Sequence, residues 1–82
     1  LICGSGIGES IAANRCAGIY AGLVWSKEVT QVAKEHDNIN VLILPADYMN
    51  YETAVACIES WLSTSFLGGR YQERLDMIEA YH

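Results

Sequence analysis

Leu1-Ile2-Cys3-Gly4-Ser5-Gly6-Ile7-Gly8-Glu9 is the stretch on which the fold turns. A short apolar run ends in glycines at alternate positions, and the segment from Gly8 to Arg15 then reads as a short helix. Strand, glycine turn and helix open a βαβ unit. Downstream, Ile19 to Trp25 and Asn40 to Leu44 are short and rich in β-branched or aromatic residues, which predicts two more buried strands beside Leu1 to Cys3. Ser26 is placed to cap a helix carrying Val29, Val32, Ala33 and His36 on one apolar face. Asn50 is placed to cap another, with a stripe of Tyr51, Ala54, Val55, Ile58 and Leu62 that runs to about Ser63, and with Met49 as a staple before it. Val55, Trp61 and the rest of that helix's stripe are assigned to the core or to a dimer contact. A terminal helix from Tyr71 to Tyr81 follows Gly68-Gly69. The expected fold is therefore α/β with a parallel sheet, its strands joined by right-handed crossovers.

The chain has 82 residues, 51% of them apolar and 18% charged, which describes one small globular unit rather than a disordered tail. A chain of this size buries only about 60 to 65% of its unfolded surface, so on its own it is expected to be marginal. It opens without methionine, on what reads as a strand already under way, and the expectation is an N-terminus cut inside a domain. Residues 1–82 are then the C-terminal portion of one domain. The net charge of −5, with five basic residues and no run of them, argues against a nucleic-acid partner. No apolar run approaches the ~20 residues of a membrane span, and no targeting segment is visible, so a cytoplasmic protein without a membrane partner is expected. Cys3, Cys16 and Cys57 are odd in number and widely spaced, which reads as reduced thiols, with no metal-ligand spacing.

The Gly4–Gly8 loop lets several backbone N–H groups converge at the positive end of a helix, an arrangement suited to a phosphate or a developing oxyanion. Glycines at a strand-to-helix turn also serve positive φ or close packing alone. A Walker lysine is absent, and the G-x-G-x-G spacing, with no acid ending the next strand, does not make a dinucleotide fingerprint. Beside the loop stand a thiol at Cys3, a hydroxyl at Ser5 and a carboxylate at Glu9. A thiolate or carboxylate next to an oxyanion hole can take a proton from carbon alpha to a carbonyl, which is isomerase chemistry. The plainer readings are a small buried residue for Cys3 and a first-turn acid complementing the helix dipole for Glu9. His36, on the apolar face of its helix, reads from the residues alone as a packed helix-end histidine. Arg70 and Arg74 are stacked on one helix face, where a guanidinium pair suits a phosphate. The alternative is a solvated charged face shared with Glu73 and Asp76.

Three separated segments, Ile2 to Arg15, Glu35 to Val41 (Glu-His-Asp-Asn-Ile-Asn-Val) and Gly68 to Arg74 (Gly-Gly-Arg-Tyr-Gln-Glu-Arg), resemble the ribose-5-phosphate isomerase B and galactose-6-phosphate isomerase family, over essentially the whole chain and in the right order. That resemblance implies a Rossmann-like three-layer α/β/α sandwich whose N-terminal part is missing here. It implies an enzyme that interconverts aldose and ketose phosphates of the ribose 5-phosphate type through an enediolate, without metal or cofactor, as a homodimer or a dimer of dimers. It places Cys3 at the catalytic base of one branch and Glu9 at the base of another. Ile2 and Gly4 match the cysteine branch and make Cys3 the first choice, whereas Ala21 to Ser26 looks like the glutamate branch. Ser5 takes the part of a hydroxyl assisting proton transfer, and Gly4, Gly6, Ile7 and Gly8 supply the oxyanion cradle. His36 becomes the acid that opens the sugar ring, Asp37 a substrate contact where the family usually has asparagine, and Arg70 and Arg74 the phosphate ligands. Tyr71 stands where histidine is usual, and Pro45-Ala46-Asp47 where a glycine and an arginine flank a small residue. Those departures make a shorter or differently substituted sugar phosphate as reasonable a substrate as ribose 5-phosphate. The family's first half, with an Asp-His pair that also touches substrate, is not in this sequence, so the segment alone is expected to be inactive. The competing expectation is a non-catalytic sugar-phosphate-binding or assembly module on the same fold. A redox thiol centred on Cys3 would lack a nearby resolving cysteine.

Overall fold

The computed structural model describes residues 1–81. Three parallel strands, β1 (Ile2–Cys3), β2 (Ala21–Leu23) and β3 (Val41–Pro45), lie in the order β1-β3-β2. The register pairs Ile2 with Leu44 on one side of β3 and Gly22 with Leu42 on the other. Around them run α1 (Ile7–Asn14), α2 (Lys27–Asp37), α3 (Tyr51–Ser63) and α4 (Arg70–Glu79), with a short 3-10 turn over Ala46–Tyr48. The α/β reading holds.

With the right-handed crossovers that parallel βαβ units adopt, a step from β1 across β3 to β2, then back to β3, sends the two crossover helices to opposite faces of the sheet. The side chains of β3 divide accordingly. Leu42 and Leu44 join Val24, Ile39 and Cys57 in a buried cluster, with Val29, Ala33, Ala54 and Trp61 packed on it from α2 and α3. Ile43, fully buried, points the other way, where its Cγ2 and Leu23 Cδ1 back the loop at Gly6. This is the three-layer arrangement expected.

β2 is shorter than its sequence suggests. Gly18 turns at φ 78, and the Tyr20 amide donates to the Asn40 side chain at 2.9 Å rather than to a neighbouring strand. Asn14 pins the helix before it: its side chain accepts from the Ala21 amide at 2.7 Å and donates to the Ala21 and Ser10 carbonyls at 2.9 and 3.0 Å. Both predicted caps form, Ser26 Oγ accepting from Val29 N at 3.2 Å and Asn50 Oδ1 from Thr53 N at 2.8 Å.

The expected helix faces are buried only in part: Val29, Ala33, Ala54 and Trp61 pack on the core, but other stripe positions do not. In α2 it is Thr30 that is fully buried, its hydroxyl donating to the Ser26 carbonyl at 2.8 Å, while Val32 is 49% exposed. In α3, Cys57 and Ser60 face inward, and Tyr51 and Leu62 are 82% and 74% exposed. Trp61 is held against the sheet by a hydrogen bond from Nε1 to the Ile39 carbonyl at 3.0 Å.

Candidate active site

All three strands point their C-terminal ends the same way, and at that edge the glycine loop leaves β1 for α1. Gly6 is the residue before α1, at φ 79, a left-handed conformation that glycine adopts without steric cost. It is also buried: a Cβ there would lie 2.5 Å from Leu23 Cδ1 and 3.3 Å from Cys3 Sγ. The loop therefore lies flat on the end of the sheet, with Ile7 and Gly8 exposed beyond it. Ser5 Oγ accepts from the Ile7 amide at 3.4 Å, at the first turn of the helix. Cys3 ends β1 half-buried, and its thiol points at the Leu44 carbonyl at 3.9 Å.

Cys3 has acidic company. Desolvation, then the neighbouring Glu9 carboxylate through charge and hydrogen bonding, and finally the Asp47 carboxylate, push its thiol above the ordinary range. A thiol so placed is held in its protonated form at neutral pH. Asp47 reaches the loop from the turn after β3: its amide donates to the Gly4 carbonyl at 3.1 Å.

A second cluster forms where α4 begins. The Leu67 amide donates to the Glu35 carbonyl at 3.0 Å, tying the chain before α4 to the last turn of α2. His36 and Tyr71 then stack, ring centroids 4.3 Å apart and planes 7° from parallel. The guanidinium carbons of Arg70 and Arg74 lie 5.1 and 5.6 Å from the Tyr71 ring centre, and Arg70 Nη2 donates to the Tyr71 hydroxyl at 3.1 Å. Asp37 ends α2 exposed, on a groove shared with Tyr20, Ile39, Leu75 and Ile78.

The two clusters do not meet within one chain. α2 starts from the C-terminal edge of the sheet and delivers its own C-terminus to the start of β3, so His36 lies at the N-terminal edge, opposite Cys3. An 11-residue helix at the α-helical rise spans about 16 Å, which is the order of that separation. Among the described residues no group of three or more histidine, cysteine or carboxylate side chains is placed to hold a metal ion. None of their helices is long and apolar enough to cross a membrane.

With a glycine-cradled thiol–carboxylate pair at one pole and paired arginines beside a histidine at the other, similarity to known proteins becomes decisive. The family profile for Ribose/Galactose Isomerase matches residues 1–78. The chain belongs to that family. The probable ribose-5-phosphate isomerase B of Mycoplasma genitalium is 40% identical over 81 residues, covering 99% of this chain and 53% of that protein. The ribose-5-phosphate isomerase B of Escherichia coli is 39% identical over 80 residues, 98% of this chain and 54% of that protein. The Mycoplasma genitalium enzyme crystallised with bound ribulose-5-phosphate superposes with a TM-score of 0.96 at 40% identity, again over 99% of this chain and 53% of its own. The type B ribose 5-phosphate isomerase of Trypanosoma brucei gives 0.97 at 36% identity over 100% and 56%. This chain thus spans about half the length of the curated relatives it matches.

Within the Ribose/Galactose Isomerase fold, two residues carry more than the sequence assigned them. Asp47 stood out as a departure, but only the turn after β3 shows that its carboxylate sits against Gly4. Tyr71 stood out as a substitution, and its stack on His36 depends on how α4 docks on α2.

Proposed function

We propose that the whole protein containing this chain isomerises a phosphorylated sugar between its aldose and ketose forms, ribose 5-phosphate and ribulose 5-phosphate being the reference pair. The observation that carries the reading is the glycine loop that gathers Cys3 and Glu9 at the start of α1, where the amides of a helix N-terminus suit a developing enediolate oxygen. One base can carry the proton between C1 and C2, while a second group moves a proton between the two oxygens of the enediolate. Glu9 acts as the base that takes the proton from one carbon and returns it to the other, and the Cys3 thiol, kept protonated by its neighbours, relays a proton between the oxygens and ends the cycle as it began. Ser5 and the Gly4, Gly6, Ile7 and Gly8 segment steady the substrate oxygens. His36 promotes ring opening, Arg70 and Arg74 hold the phosphate, and Asp37 contacts substrate at the margin.

Because the loop and the arginine cluster lie at opposite edges of the sheet, a complete site takes the loop from one copy and the His36 cluster from another. That is the reason for expecting a homodimer or a dimer of dimers. The exposed apolar side chains of Tyr51 and Leu62 on α3 are surface that such an assembly would cover.

The test is turnover by the full-length protein on ribose 5-phosphate, allose 6-phosphate, galactose 6-phosphate and erythrose 4-phosphate, with Cys3→Ala and Glu9→Gln alongside. Turnover that collapses in Glu9→Gln and drops less in Cys3→Ala supports the assignment. No turnover on any sugar, with sugar-phosphate binding that depends on Arg70 and Arg74, would leave a binding module on the same fold.

A further inference from the structure

Tyr71 is the hub of the second cluster. Its ring is covered by the His36 imidazole at 4.3 Å, both guanidinium groups lie within 6 Å of its centre, and its hydroxyl receives the Arg70 hydrogen bond at 3.1 Å. The backbone holds it there. Gly68 and Gly69, at φ 72 and 56, reverse the chain in a conformation open to glycine, and the Tyr71 amide donates to the Gly68 carbonyl at 3.1 Å. The Leu67 amide fixes the near side of that reversal to Glu35, the residue preceding His36. Long arginine side chains otherwise sample many rotamers, and a helix-end histidine turns freely about χ2. An aromatic plate touching all of them removes that freedom in one step.

We propose that Tyr71 is a positioning residue that sets the distance from the phosphate-holding arginines to the His36 imidazole, and through that distance selects the length of the sugar phosphate. This rests on the isomerase reading. A sugar whose phosphate is seated on Arg70 and Arg74 presents its ring oxygen to His36 only if the carbons between match the fixed span. Tyr71 touches neither the phosphate nor the reacting carbons in this scheme; it acts through its neighbours.

The experiment uses the full-length protein with Tyr71→Phe, Tyr71→Leu and Tyr71→His, and two kinds of readout. The first is the proton NMR signal of the His36 ring, assigned by its loss in His36→Gln, followed during titration with inorganic phosphate. In the parent the signal is ring-current shifted and responds to phosphate; in Tyr71→Leu it moves towards the free-imidazole position and no longer responds, although phosphate still binds. Tyr71→Phe keeps the stack and the shifted signal but binds phosphate about threefold to tenfold more weakly, as befits loss of one charge-assisted hydrogen bond. The second is the ratio of kcat/KM for pentose 5-phosphate over hexose 6-phosphate and tetrose 4-phosphate, which falls in Tyr71→Leu and Tyr71→His more than either kcat falls for the preferred sugar. An unmoved His36 signal in Tyr71→Leu, or an unchanged length ratio in variants that still turn over, overturns the proposal. Absence of turnover in the parent refutes the isomerase reading and the length selection with it, and the NMR arm then separately decides whether Tyr71 couples phosphate to His36.

Discussion

Asp47 and Gly4 are in contact through both backbone and side chain. The Asp47 amide donates to the Gly4 carbonyl at 3.1 Å, and Asp47 Oδ2 lies 2.9 Å from the point a Cβ on Gly4 would occupy. An acidic side chain thus lies against the glycine loop between β1 and α1. Its charge is one of the influences that keep the Cys3 thiol protonated.

Replacing Gly4 by alanine therefore displaces the Asp47 carboxylate rather than the fold. The new methyl meets the far end of an exposed side chain, so stability falls by less than about 1 kcal/mol. The Cys3 thiol becomes more acidic as the carboxylate moves away. Alkylation by iodoacetamide across pH, in a Cys16→Ser background, reads that change as a lower midpoint.

Gly6→Ala is the opposite case. The residue is buried in the left-handed region, and its Cβ would sit 2.5 Å from Leu23 Cδ1 and 3.0 Å from Ile43 Cγ2. Left-handed strain and overpacking together cost about 2 to 4 kcal/mol. A urea unfolding midpoint on the full-length protein should drop accordingly, while Gly8→Ala, with open space around its Cβ, leaves it nearly unchanged.

Glu9→Gln separates the roles of carboxylate and thiol. Glu9 raises the Cys3 pKa, so its neutral replacement lowers that pKa and increases the thiolate fraction at pH 7. Cys3 should then alkylate faster even as isomerisation falls by about 10² to 10⁴-fold, the range for loss of a general base. Faster alkylation with undiminished turnover would make the thiolate the base.

The Tyr20 hydroxyl donates to Glu79 at 2.7 Å and joins α4 to the strand edge. That hydrogen bond, then desolvation, then the charges of Glu79 and Asp76, raise the phenol pKa. A folded-state pKa above the unfolded one means the contribution is fully present below the ordinary phenol pKa near 10 and is lost as pH rises through the raised value. The protection of the α4 amides relative to their intrinsic base-catalysed exchange should fall over that window in the parent, and Tyr20→Phe should remove that pH-dependent fall.

The strand–turn–helix opening and the caps at Ser26 and Asn50 were legible in the sequence because each depends on residues within a few positions of one another. Burial was less so. Val32 lies on the apolar stripe of its helix yet is exposed, while Thr30 is buried with its hydroxyl satisfied by the carbonyl one turn back. Which side of a helix faces the sheet is settled by the neighbours it meets.

The sequence by itself determined the α/β class, the glycine cradle with its thiol and carboxylate, and the chemistry available to two arginines one helical turn apart, since all are matters of residue type and local spacing. Only the tertiary structure decided that Cys3 and His36 stand at opposite edges of the sheet, that Asp47 lies on Gly4, and that Tyr71 binds His36 to the arginines. Chain order carries no distance; a parallel sheet does, because every helix between parallel strands must run back from one edge to the other.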